Sequence, residues 1–303
     1  MTNPNDVEIR LVCSPTASFY GQVSLLVSSI RGLGYDWPIR LFMGTDVPDH
    51  PLWDDPPASV ELIRVVGENY YAQIDEYFVH PPVSPRVIFS DADIVWLGRI
   101  ESIIEQVGAN TVAGLPAHKA PPGTEFRLRP HETWNSLSMR AVGKEISLDY
   151  RSTISNAPIP FYVNYGFVVA DSDIFARHGA RYINLCRESA ASLEQIYMQY
   201  QVALSLLVLE ADAKTLILGP QFNFSNDERF YERYKRDSDE IKIIHYTKNT
   251  FDRANAFSDL TAYRAFLTAE LGPVDAIIRS RALALWGDSP PHLKGRADEG
   301  GIG

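Results

Sequence analysis

The sequence predicts an α/β protein with a mostly parallel central sheet and helices on both faces. Three observations carry this. Strand-like and helix-like segments alternate at the spacing of consecutive β-α-β units. The run Val87-Ile88-Phe89 is apolar without alternation, as in a strand buried on both faces. No Gly/Ser-rich or Pro-rich linker divides the middle of the 303 residues, so a single domain over 1–286 accommodates the periodic part.

Taken in order, VEIRLVCS (7–14) reads as the first strand, and GQVSLLVSSIRGLG (21–34) as a helix closed by Gly32 and Gly34. PIRLFMG (38–44) and VELIRVV (60–66) are further strands, and YYAQIDEYFV (70–79) is a helix leading into RVIFSDADIVWL (86–97). TVAGLPA (111–117) is a strand, followed by a stretch rich in Pro, Gly and charge (118–160) that reads as an irregular insertion with one short helix near ETWNSLSMRAVG. YGFVVADSD (165–173) is the next strand, with helices expected over 174–188 and 193–213 and late strands in KTLILGP and IKIIHYT. Beyond Trp286 the residues turn polar and Gly-rich, so 287–303 read as a disordered tail.

Composition narrows the function classes. With 45% hydrophobic and 22% charged residues the chain buries a core, which excludes disorder and collagen-like repeats. The net charge of −10 argues against nucleic acid as a partner, because attraction to a polyphosphate chain needs a basic excess or patch. Cys13 and Cys186 are too few for a disulfide framework or a cysteine metal site, and the first residues lack a signal peptide. The longest apolar stretch, ALSLLVLEA from Ala203, is about half of the roughly twenty residues a membrane span needs. These readings imply a cytoplasmic protein without a transmembrane segment.

Asp91 and Asp93 are the strongest chemical signal. Two carboxylates straddling one residue at the end of an apolar strand have no packing role, and they repel each other unless something positive lies between them. An oxygen-preferring divalent cation is one answer, and a turn or cap in which an Asp binds backbone N–H groups is the other. The pair Asp171 and Asp173 has the second pattern, since it opens a helix and explains itself as a cap with a first-turn acid. His245 follows another apolar strand run and would share a sheet edge with Asp91 and Asp93 if the two strands are parallel. Two Asp and one His suit Mn²⁺ or Mg²⁺, with positions left for phosphate oxygens, and Lys248 would add charge nearby. Gln201 interrupts an apolar stripe formed by Tyr197, Leu204, Val208 and Ala211, so its amide needs a partner, either backbone or a ligand hydroxyl. After the first strand, Ser14, Thr16 and the aromatic pair Phe19 and Tyr20 suit a nucleotide base, while no Gly-x-Gly-x-x-Gly or Gly-Lys-Ser/Thr signature is present.

In this order the segments resemble the family-8 glycosyltransferases, metal-dependent enzymes of the GT-A fold that include glycogenin and lipopolysaccharide galactosyltransferases. The matching stretches span 7–251: Tyr71-Ala72-Gln73, SDADIVWL, NYGFVVAD with Asn164 and Gly166, YQVAL around Gln201, QFNF with Asn223, and IIHYTK. The resemblance implies a single Rossmann-like domain in which Asp91, Asp93 and His245 hold Mn²⁺ or Mg²⁺ across the diphosphate of a nucleotide-sugar, with a UDP-sugar as the expected donor. It further implies nucleotide contacts from Ser14, Thr16, Ala17, Phe19, Asp91, Ala92 and Lys248, and sugar contacts from Gln73, Asn164, Gly166 and Gln201. Asp93 and Gln201 would be the catalytic residues, with Gln201 beneath the anomeric carbon, and an acceptor hydroxyl would attack with retention of configuration. The insertion 118–160 is assigned to the acceptor side because it lies outside the shared core. Departures fall at the donor end: Gln73 stands for the family's Arg, Tyr200 and Val202 for the acids of its Asp-Gln-Asp, Ala17 for an Asp of the first loop, and Thr247 and Phe251 for a Gly and a Lys.

Two rival readings follow from the same residues. VIFSDADIVWL also fits the start of a haloacid-dehalogenase-like phosphatase, with Asp91 as nucleophile, but no later acidic segment completes that set. The departures also suit a member that binds a nucleotide without turning it over.

Overall fold

The computed structural model describes residues 6–13, 17–44, 60–65, 70–194, 198–235, 240–246 and 256–293. The first half comprises β1 (Val7–Cys13), α1 (Ala17–Arg31), β2 (Ile39–Gly44), β3 (Val60–Val65), α2 (Tyr70–Val79), β4 (Arg86–Ser90), β5 (Ile94–Trp96), α3 (Glu101–Ile104) and β6 (Thr111–Pro116). The insertion holds α4 (Thr124–Leu128), α5 (Pro130–Ala141) and the short hairpin β7 (Tyr150–Arg151) with β8 (Pro158–Ile159). Then come β9 (Val163–Asp171), α6 (Ser172–Ala190), α7 (Gln199–Glu210), β10 (Lys214–Ile217), β11 (Phe224–Ser225), α8 (Glu228–Arg233), β12 (Ile243–His245), α9 (Leu260–Thr268) and α10 (Pro273–Trp286).

Seven strands form the central sheet in the order β10-β6-β9-β4-β1-β2-β3. All neighbouring pairs are parallel except those of β9, which runs antiparallel to both β4 and β6. The physical reason lies in the connection. β6 reaches β9 through the insertion and not through a crossover helix, so the chain re-enters the sheet from the opposite end. Both faces are covered, as the sequence implied. Val7, Ile9, Leu11 and Cys13 pack with α1 in one apolar cluster, while Val87, Phe89, Val168 and Ala170 pack on the other side with α2, α6 and α7.

β1 carries charge into this core. Glu8 and Arg10 alternate with its apolar residues and are 0% and 1% exposed. The Arg10 guanidinium binds Glu8, and it also donates to the carbonyls of Tyr77 and His80 at the end of α2, both at 2.8 Å. A helix end leaves its last carbonyls without intrahelical partners, so the buried cation completes α2 while Glu8 balances the charge.

Three boundaries differ from the sequence reading. The insertion holds two helices in place of one, because Gly123 and Pro130 open separate turns. α7 begins at Gln199, later than expected, and 195–197 lie outside the described residues. The expected tail from 287 is still packed over 287–293. There His292 is 5% exposed, and its Nε2 lies 2.9 Å from the Phe257 carbonyl. The second acidic pair behaves as a cap: Asp171 accepts from the backbone N–H of Asp173 and of Asn110. Cys13 and Cys186 are both buried, and no disulfide joins them. No helix of the described residues is long and apolar enough to cross a membrane.

Candidate metal centre

β4 ends at Ser90, and the chain bends through Asp91-Ala92-Asp93 before β5 begins at Ile94. His245 reaches these residues by a route the sequence did not show. β12 is not in the central sheet; it pairs antiparallel with β5, with His245 opposite Ile94, in a separate three-stranded sheet β11-β12-β5. The Tyr246 N–H then donates to the Asp93 carbonyl at 3.0 Å, which fixes the histidine beside the carboxylates.

His245 Nε2 lies 3.2 Å from Asp93 Oδ1 and 3.5 Å from Asp91 Oδ2. One ligand atom from each of the three residues falls within 4.8 Å of the others. Adjacent ligands on an octahedral ion, each about 2.1 Å from the metal, are about 3 Å apart, so the donor set and its spacing fit a divalent cation of the Mg²⁺ or Mn²⁺ type. Surrounding protein pushes the Asp91 carboxyl up to about 6, the neighbouring imidazole opposes that push, and the Asp93 charge adds to it. Asp91 is also 51% exposed, so water screens much of this effect and keeps the oxygens available to a ligand.

The antiparallel course of β9 supplies the back wall. Because Phe167 stands opposite Ser90, the next residues toward the start of β9 lie beside Asp91, whose N–H donates to the Gly166 carbonyl at 3.2 Å. A Cβ at Gly166 would fall 2.1 Å from His245 Nδ1, so the imidazole occupies the space a side chain would need. Gly166→Ala is therefore expected to displace the ring and weaken Mn²⁺ binding at least tenfold, as loss of an orienting contact does. Mn²⁺ titration followed by electron paramagnetic resonance, with thermal unfolding as a check of folding, would read this. Unchanged affinity in a folded variant refutes it.

The structure redistributes several expected site residues. Asn164, expected at the sugar, has its Oδ1 2.9 Å from the Gly166 N–H and 3.1 Å from His245 Nδ1. Gln201 is half-buried near the start of α7, and among the described residues no polar contact joins its side chain to the Asp-Asp-His group. The apolar stripe it was read to interrupt is not a stripe: Gln199, Tyr200 and Val202 to Val208 are all buried, because α7 lies deep in the core. Ala92 is buried between the two acids. Phe19 is partly buried against the α1 side of the sheet. Ala17 opens α1, and Gln73 lies in α2. Ser14, Thr16 and Lys248 lie outside the described residues.

Two residues emerge that sequence reasoning left aside. Asn223, noted only as part of a motif, is 1% exposed and places its Oδ1 3.2 Å from His245 Nδ1. His118, at the start of the insertion, donates or accepts at Nδ1 with Thr153 Oγ1 at 2.8 Å and packs on Phe230, while its buried Nε2 has no hydrogen-bond partner among the described residues. No local pattern marks it. Burial first, then repulsion from His245, holds its pKa at about 4, below the ordinary 6.5. Between those values the unfolded chain takes a proton that the folded chain refuses. Stability should thus fall as pH drops from about 6.5 toward 4, by up to about 3 kcal/mol. Urea unfolding at pH 7 and pH 4.5 should show a smaller fall for His118→Gln than for the parent, and equal falls would contradict the assignment.

No protein-family model and no curated protein matches the sequence. Solved structures do match. The galactosyltransferase LgtC in complex with donor and acceptor sugar analogues is 12% identical, with a TM-score of 0.50 over 80% of this chain and 87% of that one. Mouse xyloside xylosyltransferase 1 is 14% identical, with a TM-score of 0.51 over 81% and 99%. The glycosyltransferase GlyE of Streptococcus pneumoniae is 12% identical, with a TM-score of 0.52 over 91% and 64%. At these identities the likeness is one of architecture: the chain has the GT-A glycosyltransferase fold that its ordered motifs resembled.

Proposed function

We propose that this protein transfers a sugar from a nucleoside diphosphate donor, UDP-linked, to an acceptor hydroxyl with retention, using Mn²⁺ or Mg²⁺ held by Asp91, Asp93 and His245. The observation that carries the proposal is the convergence of those three ligand atoms at the end of β4, on a fold shared with glycosyltransferases. When bound, the cation would offset the charge that develops on the diphosphate leaving group. In the transfer, the bond from the anomeric carbon to the diphosphate oxygen breaks and a bond to the acceptor oxygen forms. The hydroxyl proton leaves to the departing diphosphate or to water.

This chain's residues would contribute in distinct ways. Asp91 and Asp93 supply anionic oxygens, and His245 presents Nε2 toward them. The Asn164 Oδ1 is committed to Gly166 and His245, so only its NH₂ is left for a sugar hydroxyl. Gln73 and Gln201 are proposed sugar contacts, with Gln201 nearest the anomeric carbon. Ser14, Thr16, Ala17, Phe19, Ala92 and Lys248 are proposed around the nucleotide, and the insertion 118–160 on the acceptor side.

Calorimetric titration with UDP, with and without Mn²⁺, tests the reading. Binding that depends on the metal supports it; binding that ignores the metal overturns the site. Hydrolysis of a UDP-sugar separates an enzyme from a member that only binds. The phosphatase alternative is not favoured, since the structural neighbours are glycosyltransferases. Release of phosphate from simple phosphate esters would revive it.

A further inference from the structure

We propose that Asn223 and Asn164 are positioning residues that fix the proton of His245 on Nδ1, so that Nε2 always offers its lone pair to the metal. The inference rests on the metal reading of the site and goes beyond it by assigning the histidine's tautomer and the residues that impose it.

The Gly166 backbone N–H can only donate, so Asn164 Oδ1, 2.9 Å away, is an acceptor. That same oxygen lies 3.1 Å from His245 Nδ1 and 3.2 Å from Asn223 Nδ2. With its NH₂ turned to Asn164, Asn223 places its own oxygen 3.2 Å from His245 Nδ1. Two acceptor oxygens therefore face one ring nitrogen, which is satisfied only when Nδ1 carries hydrogen and donates to them. Nε2 of the neutral ring is then a lone pair, aimed at Asp93 Oδ1 and Asp91 Oδ2. Three electron-rich atoms facing one another require something positive between them, a proton or a metal ion.

The fold makes this arrangement rigid. Asn223 immediately precedes β11, whose parallel pairing sets Ser225 opposite His245. Asn223 and the ring are 1% and 4% exposed, so water competes poorly for either amide oxygen. The ring fills the space that a Cβ at position 166 would need, so the glycine is what lets it approach the backbone of β9. Partners of this kind on a metal-binding histidine orient it and raise its basicity.

Three measurements test the proposal on the full chain. Nitrogen NMR of the imidazole at pH 8 and above, without metal, should show hydrogen on Nδ1 of His245. Mn²⁺ affinity by electron paramagnetic resonance should fall about 10- to 100-fold in Asn223→Leu, whose folding is checked by thermal unfolding. Asn223→Asp, which keeps an acceptor against Nδ1 while losing the amide donor to Asn164, should bind Mn²⁺ at least as tightly as the parent. A role confined to packing predicts that both variants weaken binding alike, and that outcome overturns the proposal, as does hydrogen on Nε2 with none on Nδ1, or unchanged affinity in Asn223→Leu. If the parent protein binds no Mn²⁺, the metal reading falls by itself, while the NMR spectrum still reports whether the two asparagines set the ring.

Discussion

Asp93→Ala is expected to lower Mn²⁺-dependent UDP affinity by at least about a hundredfold, and sugar transfer further still, while leaving the fold intact. Its Oδ1 is the carboxylate oxygen nearest His245 Nε2, at 3.2 Å, and its side chain is 27% exposed, enough to meet a diphosphate. A bound cation contributes several kcal/mol to stabilising leaving-group charge, and each 1.36 kcal/mol is tenfold, so a hundredfold loss is the smaller end of the expectation. Asp93→Asn, which keeps an oxygen without its charge, should fall between parent and alanine. The rival account, a turn stabilised by an aspartate, makes the opposite forecast: lowered stability with Mn²⁺ dependence unchanged. Paired calorimetric and thermal measurements on the two variants decide between them.

Glu8→Ala should cost about 3 to 5 kcal/mol of stability without involving the metal site, because it leaves a buried cation without its counter-charge. Glu8 accepts from Arg10 at 2.8 Å, lies 3.5 Å from Arg40 and accepts from the Val83 N–H at 3.0 Å. Burial already pulls the Arg10 pKa down, with Glu8 the main opposing influence. Arg10 cannot turn to water without abandoning the carbonyls of Tyr77 and His80 and its place within 5.9 Å of the Phe42 and Phe89 rings. Urea unfolding would measure the loss, and a change under about 1 kcal/mol would show that the network relaxes and the charge escapes.

The departures from the family pattern gain a physical context. Tyr200 and Val202, which stand where the family has acids, are 8% and 0% exposed, and the Tyr200 ring lies 5.9 Å from Phe78. In this chain those positions serve the core. On the proposed reading, discrimination between donor sugars would fall to other residues, and a panel of nucleotide-sugars is the direct way to find which are accepted.

The sequence by itself determined most of the strands and helices around the central sheet, though not the second helix of the insertion or α9 and α10, because the spacing of apolar residues is a local property that each segment carries alone. It also marked Asp91 and Asp93, which packing does not explain, and singled out His245 for its place at the end of another apolar strand run. It marked Asp171 as a cap for the same local reason. What it left open was every relation that joins distant segments. The reversed course of β9 brings Asn164 and Gly166 to Asp91, and it follows from a connection through an insertion without local periodicity. The pairing of β12 with β5 sets His245 on the carboxylates from a second sheet, where the sequence had suggested a shared parallel edge. Glu8 and Arg10 look like the exposed half of an alternating strand until the end of α2 is found above them. The tertiary structure alone decided these points, since hydrogen-bond roles, close approach at a glycine and the burial of charge depend on neighbours that are far away in the chain.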